Sequence, residues 1–304
     1  MKVSEEKSRP KRAPRWPWVV FGFVLLFIFA WYGVVYGHWT AGPVRLVTRI
    51  IPFPAVVLNG EPITYHAVLK KMDVLLWLAH EQNEGTRLPD DEELLSQALD
   101  SLLRQEAIAQ LAAKEEVDVT RDELRAALEE LQGEEDDATF EARITAAVNR
   151  TMDEFTDEIL RPLLLAQNLE RFILSSTSYQ SQIRALAEQA QVRINDGQLF
   201  GTILDAALSS SFSIEGGDYG YIARENMPEG WETLFSLSEN STSPVIETAE
   251  DFVVLVVEDI IGEGESAQFH TKAILFHKMT LSEVVDEYLD EAYIKEIVRG
   301  VEKP

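Results

Sequence analysis

The sequence predicts an α+β protein carried behind one N-terminal transmembrane helix, and three observations predict it. An uncharged apolar run fills residues 16–37; helical-period segments follow from about 66 to 174; and strand signals dominate after about 219. Six of the 27 basic residues fall in the first 15 positions, so the remainder of a chain with net charge −25 is more acidic than its average. Such a body is repelled by phosphate backbones, which excludes nucleic acid as a partner class. The 46% hydrophobic content suffices for a core, and 304 residues for an anchor plus about two domains. Cysteine is absent, which excludes disulfides, thiolate metal sites, a Cys nucleophile and a lipobox-type lipid anchor.

The run Trp16–Gly37 has about the length that a hydrocarbon core of roughly 30 Å requires. Trp16, Trp18, Trp31, Tyr32, Tyr36 and Trp39 crowd its ends as interfacial aromatics do. Lys2, Lys7, Arg9, Lys11, Arg12 and Arg15 precede it, against only Arg45 and Arg49 nearby on the other side. The positive-inside rule therefore puts residues 1–15 in the cytoplasm and the body outside it, on a single-pass cell-membrane protein. A cleaved signal peptide is the alternative. The run exceeds the usual h-region, and Trp and Tyr stand where small cleavage-site residues belong.

Residues 38–54 are punctuated by Gly42, Pro43, Pro52 and Pro54 and read as a linker. Val56–Leu58, then Asn59-Gly60 and Glu61–Thr64, give a short strand, a turn and a cap. Thr64 is a plausible N-cap for a helix over 66–80. A long amphipathic helix is expected over about 91–116, with Leu94, Leu95, Ala98, Leu99, Leu102 and Leu103 at helical spacing. Thr120 with Glu123 forms a capping box for a helix ending near Gly133. Glu134–Asp137 lacks the spacing and turn glycine of a calcium loop and reads as a solvated loop. Helices over about 138–149 and 153–174 complete a helical module at 55–178, with 175–178 as a joint. After it come helices over about 179–191 and 196–208 and a turn-rich stretch, 209–220. Strands are expected over 219–223, 243–248, 252–259 and 269–278, then a helix over 281–290 and a closing apolar stretch, 293–298. The strands at 252–259 and 269–278 read as buried and central.

Two segments carry a family resemblance. Val57-Leu58-Asn59-Gly60-Glu61-Pro62-Ile63-Thr64, with the restart Val117-Asp118-Val119-Thr120-Arg121-Asp122-Glu123-Leu124, resembles the helical chaperone module of SurA/PrsA/PpiD-type foldases. Gly216-Gly217-Asp218-Tyr219-Gly220-Tyr221, then Met227 to Leu237, Ser243–Thr248 and Phe252–Glu258, is similar to the PpiC-type parvulin string "GGDLGwf…MvPeFe.aaF.L…S.PV.T.fGyHIIkV". The resemblance implies a parvulin-like domain at 179–304 with a small mixed or antiparallel sheet and helices. The family's opening strand, "A-R-H-I-L", is missing before 193 and finds its match at Phe269–Phe276. A circular permutation is expected, with the first strand moved to 269–278; an edge position or an unpaired strand there would overturn it.

The resemblance further implies peptidyl-prolyl cis/trans isomerisation, with unfolded or nascent secreted or membrane polypeptides and their Pro-containing segments as partners. The barrier to X–Pro rotation is roughly 18–20 kcal/mol. A catalyst must bind the twisted amide better than the planar one, partly by excluding water. Carried over, the apolar cup is Tyr219, Met227, Trp231 and Phe235, with Thr248 retained and Ser210 (or Ser209) at the family's Asp/Cys position. The Met227–Phe235 interval is one residue short, and the same four side chains could equally be ordinary core. The family's two histidines fall on Ala273 and Val253, and Asp251 stands where glycine is expected, so weak or no activity is expected. His270 and His277, seven apart on one strand, must point to opposite faces. Either is a displaced imidazole or a surface histidine. No G-x-S-x-G, P-loop or H-E-x-x-H motif occurs, and no cofactor or metal set is apparent. A holdase or assembly scaffold that kept the fold and lost the chemistry is the competing reading. The sequence leaves a homodimer open.

Overall fold

In the computed structural model, residues 48, 51–82, 89–148 and 150–298 are described. The expected cytoplasmic tail and the span at 16–37 lie outside them. Among the described residues no helix is long and apolar enough to cross a membrane. The architecture is α+β, with helices and small antiparallel sheets. The chain forms two compact units that are discontinuous in sequence. Of the described residues, one unit gathers those up to 107, those between 144 and 150 and those from 291 to 298, and the other those of 108–143 and 151–290.

In the first unit, β1 (Pro54–Leu58) and β2 (Glu61–Thr64) form a hairpin. Asn59 and Gly60 turn it with φ of 50° and 97°. Positive φ at both central residues is what a two-residue hairpin turn demands, and Asn-Gly supplies it at low cost. Thr64 accepts a hydrogen bond from the Ala67 amide and starts α1 (Tyr65–Gln82). A three-residue strand from the far end of the chain completes the sheet. The strand β8 (Ile294–Glu296) pairs antiparallel with β1, giving the order β2-β1-β8. Phe53, Ala55, Leu58, Tyr65, Val68, Leu69 and Val298 are buried in this unit. In α2 (Asp91–Lys114) all the expected stripe residues are buried except the half-exposed Leu102.

In the second unit, α3 (Arg121–Gln132) opens on the Thr120/Glu123 capping box. The acidic run after it is put to structural use. Asp136 accepts from the Ala138 and Thr139 amides at the start of α4 (Asp137–Val148), and Glu135 pairs with Arg143 at 3.0 Å. The hydrogen bonds from Thr139 hold the Asp136 carboxyl below its ordinary range. A short α5 (Met152–Phe155), a π-turn (Thr156–Leu160) and α6 (Arg161–Ser175) run on continuously.

Helices α7 (Thr177–Asn195) and α8 (Phe200–Leu208) then precede an antiparallel sheet. Its strands are β3 (Ile214–Ala223), β4 (Ser241–Thr242), β5 (Ile246–Glu247), β6 (Asp251–Ile261) and β7 (Gln268–His277), before α9 (Leu281–Glu291). The order is β3-β7-β6-β4, with β5 also on β6. Strand β7 is central, paired with β3 on one side and β6 on the other. Helices α7 and α8 cover one face through Ile183, Ala187 and Ile203 against Phe252, Val254, Ile274 and Phe276. Trp231 and Leu234 cover the other face against Val253, Leu255, Val257 and Ala273. Covering on both faces explains why Phe252–Leu255 is an unbroken apolar run.

Two expectations are corrected. The stretch 209–220 is turn only at its start, because Ile214–Gly220 is already strand. Its glycines read as turn residues, but a Cβ at Gly216 would stand 2.5 Å from the Ala273 carbonyl oxygen, so glycine is needed for close pairing. Of the expected strand at 243–248 only Ile246–Glu247 is strand; Ser241–Thr242 pairs with β6 just before it, and between the two Pro244 has no amide hydrogen to contribute.

Candidate functional site

Four of the six expected site residues gather on the face of the sheet away from α7 and α8. Tyr219 meets Trp231 edge to face, with ring centroids 5.4 Å apart. Met227 and Phe235 pack on the same cluster, and Phe235 meets Phe269 edge to face at 5.1 Å. A 3₁₀ turn (Glu232–Ser236) follows Trp231 and swings Leu234 and Phe235 over the strands. Trp231 is only 3% exposed, Leu234 is fully buried, and the Arg224 guanidinium lies 4.4 Å above the Phe235 ring. Met227 and Phe235 are half-buried, and Tyr219 is 43% exposed. Burial, then the charges of Glu215 and Asp251, raise its hydroxyl pKa.

Thr248 is the fifth expected residue and borders this group. Its Cγ2 lies where a Cβ on Gly230 would approach to 2.8 Å. Its hydroxyl accepts from the Asp251 amide at 3.0 Å, and its own amide donates to the Asp251 carbonyl. Ser210, the sixth, is not brought to the cup. It lines a small hollow with Ile203, Ala207, Ile214 and Phe276, on the helix-covered face. Ser210 stands in the turn after α8, and the amide of Phe212 donates to its hydroxyl.

The two positions that the parvulin resemblance sets against histidines, Ala273 and Val253, are fully buried in the Trp231 cluster. At the end of the same face His277 and Asp251 stand directly opposite in the β6–β7 register, and His277 Nδ1 lies 2.6 Å from the Asp251 carboxylate. Glu215 lies 4.0 Å from the other ring nitrogen. Sequence reasoning did not find this pair, because residues 26 apart become neighbours only through strand register. The nearest signal was Asp251 in place of glycine.

His270 lies on the opposite face, as alternation requires. Its Nε2 is 3.1 Å from Asp218 and its Nδ1 is 3.3 Å from Glu258. Glu258 also pairs with Lys272, Tyr221 donates to Asp259 at 2.6 Å, and the Tyr221 ring packs 5.0 Å from the imidazole. This grouping too was missed, since its members come from β3, β6 and β7.

Chemically, the Trp231 face is a packed apolar surface with a polar margin. A proline ring could reach Tyr219 and the outer faces of Met227 and Phe235, while Trp231 serves as core.

No curated protein matches the chain. A family model described as the SurA-like N-terminal domain matches residues 10–169, more than half of the sequence. That match covers the Asn-Gly hairpin, the capped helix that follows it and the Thr120/Glu123 restart. These are the segments that suggested a chaperone module, and the chain belongs to the SurA-like N-terminal domain family, a family of chaperones and foldases.

Proposed function

We propose that this protein is a membrane-anchored, extracytoplasmic chaperone that holds unfolded or nascent secreted polypeptides through its SurA-like part. In this reading residues 16–37 are the anchor and residues 1–15 lie in the cytoplasm. Residues 55–178 are the helical module, and residues 179–304 keep a circularly permuted parvulin-type fold without its isomerase chemistry. The central position of β7, between β3 and β6, supports the permutation. A strand keeps its neighbours in a sheet whichever end of the chain supplies it.

One observation carries the non-catalytic part. Ala273 and Val253 occupy the histidine positions, fully buried beneath Trp231 and Leu234. An isomerase needs a cup open to a proline ring and groups that favour the twisted amide. Here the cup is filled by its own indole, and the groups at its floor are a methyl and an isopropyl. A residual isomerase is favoured only by the exposed Tyr219 beside Met227 and Phe235.

The full chain in detergent micelles separates the two. Exchange spectroscopy on an Xaa-Pro test peptide should show no acceleration, while aggregation of a thermally unfolding client is suppressed at near-stoichiometric ratios. Accelerated exchange that Met227→Ala abolishes would overturn the non-catalytic reading. Unsuppressed aggregation would overturn the chaperone.

A further inference from the structure

We infer that the free edge of β3, over Ile214–Asp218, takes up an extended basic segment of unfolded polypeptide as an added strand. The choice of an unfolded chain as occupant rests on the chaperone reading above. The open edge is a property of the sheet alone.

Strand order leaves β3 with β7 as its one neighbour. The pairing shows which backbone groups are spare. The His277 amide donates to the Ser213 carbonyl, one step before the pairing of Ile214 with Phe276. Backbone groups alternate sides along an antiparallel strand, so Glu215 and Gly217 also face β7. Ile214, Gly216 and Asp218 therefore turn their N–H and C=O groups away from it. The far side of β7 agrees, since the Lys278 amide donates to the Glu250 carbonyl in the direction of β6. Among the described residues none bonds these outward groups. Such a row is a template for another strand.

The other edges are blunted, and this one is not. Among the described residues, β4 and β5 have two residues each with Pro244 between them, β2 carries Pro62, and β8 has three residues. Shortness and proline both discourage a foreign strand. β3 runs for ten residues with neither proline nor lysine. Its bulge comes only after Asp218, whose carboxylate holds the Gly220 amide at 2.9 Å. Gly216 and Gly217 put no side chain in the way of an incoming strand. A Cβ at Gly217 would meet nothing within 4 Å, and the exposed Glu215 and Tyr219 stand on either side of that gap.

Charge selects the occupant. Glu215 and Asp218 are both exposed along the edge, and Lys272 behind them is matched by Glu258. A second copy of a chain with net charge −25 is repelled, whereas a basic segment is attracted. The occupant must also offer amide hydrogens, so proline at a pairing position disqualifies it. The edge thus takes clients unlike the Pro-containing segments that a parvulin cup would hold.

The test uses the full chain in detergent micelles, with a short synthetic peptide of alternating Lys and Val as probe. Hydrogen exchange resolved to single amides reads the contact. At about 100 µM peptide, the outward amides of Ile214, Gly216 and Asp218 should slow several-fold, while those of Glu215 and Gly217 change little. The same peptide N-methylated at alternate residues should give no protection, nor should one of alternating Glu and Val. Glu215→Lys should weaken the Lys/Val peptide about threefold or more in fluorescence anisotropy. No protection, or the same protection from the N-methylated peptide, overturns strand addition. Protection that grows with protein concentration in the absence of peptide makes a second copy the occupant and overturns the assignment. Suppressed client aggregation without β3 protection sinks the edge and leaves the chaperone reading standing. Protection without suppression does the reverse.

Discussion

Gly230 and Thr248 fit together only because Gly230 has no side chain: a Cβ there would stand 2.8 Å from the Thr248 methyl. Gly230 also has φ of 84°, where L side chains are strained. Thr248 cannot simply turn away, because its hydroxyl holds the Asp251 amide at the start of β6. Gly230→Ala should therefore destabilise the second unit by about 1–3 kcal/mol in urea unfolding. Adding Thr248→Ser, which deletes the methyl and keeps the hydroxyl, should recover the steric part and leave the φ penalty. Equal losses in the single and double variants would mean that the contact does not matter.

Trp231 is the strongest separator of cup from core. As a core residue 3% exposed, it should lose about 3–5 kcal/mol on truncation to alanine. Tyr219→Ala, at an exposed ring in contact with the same indole, should cost far less in the same urea titration. Were the indole instead the wall of an open proline site, Trp231→Ala would abolish peptide binding with little loss of stability.

What was legible in the sequence followed local rules. The Asn59-Gly60 turn, the Thr120/Glu123 box, the Leu stripe of α2 and the apolar β6 and β7 all announce themselves within a few residues. Alternation alone put His270 and His277 on opposite faces. The polar groupings did not announce themselves. Asp251 meets His277, and His270 meets Asp218 and Glu258, only once strand order and register are set, and two bulges shift that register. Ser210 lies apart from the other expected site residues for the same reason. Distance along the chain to Gly216 was readable, whereas the face of the sheet reached by the turn after α8 was not. Glycine misled as well, since Gly216 serves close strand pairing and not a turn.

Tyr179 gives a prediction in pH. Burial first, then the hydrogen bond it donates to Glu115 at 2.8 Å, push its pKa from the ordinary 10.0 up to about 12. The folded state thus favours the protonated phenol. Its contribution is fully present below about pH 10, and is lost as pH rises from there through about 12, because the unfolded chain releases the proton first. Tyr179→Phe should flatten that alkaline limb of the stability profile while lowering stability at neutral pH by the lost hydrogen bond, about 1 kcal/mol. An unchanged limb, read by circular dichroism across the pH series, would show that other groups carry it.

The last strand is held by an asparagine that also makes the first turn. Asn59 donates its amide to the Tyr293 carbonyl and accepts the Tyr293 amide on its side chain, both at 2.9 Å. Beyond this clasp, the Ile297 and Val298 amides both reach the Ala55 carbonyl, and Val298 is buried. Two variants split the roles of Asn59. Asn59→Gly keeps the positive φ and loses only the side-chain acceptor, so the β1–β2 hairpin should persist while β8 loosens. Asn59→Ala loses both and should cost about 1 kcal/mol more, the strain of alanine at φ of 50°. Hydrogen exchange reads the difference. The Tyr293 amide should exchange faster in both variants, and the hydrogen-bonded amides of β1 and β2 should exchange faster only in Asn59→Ala. Equal effects on all of them would mean that β8 and the hairpin open as one unit.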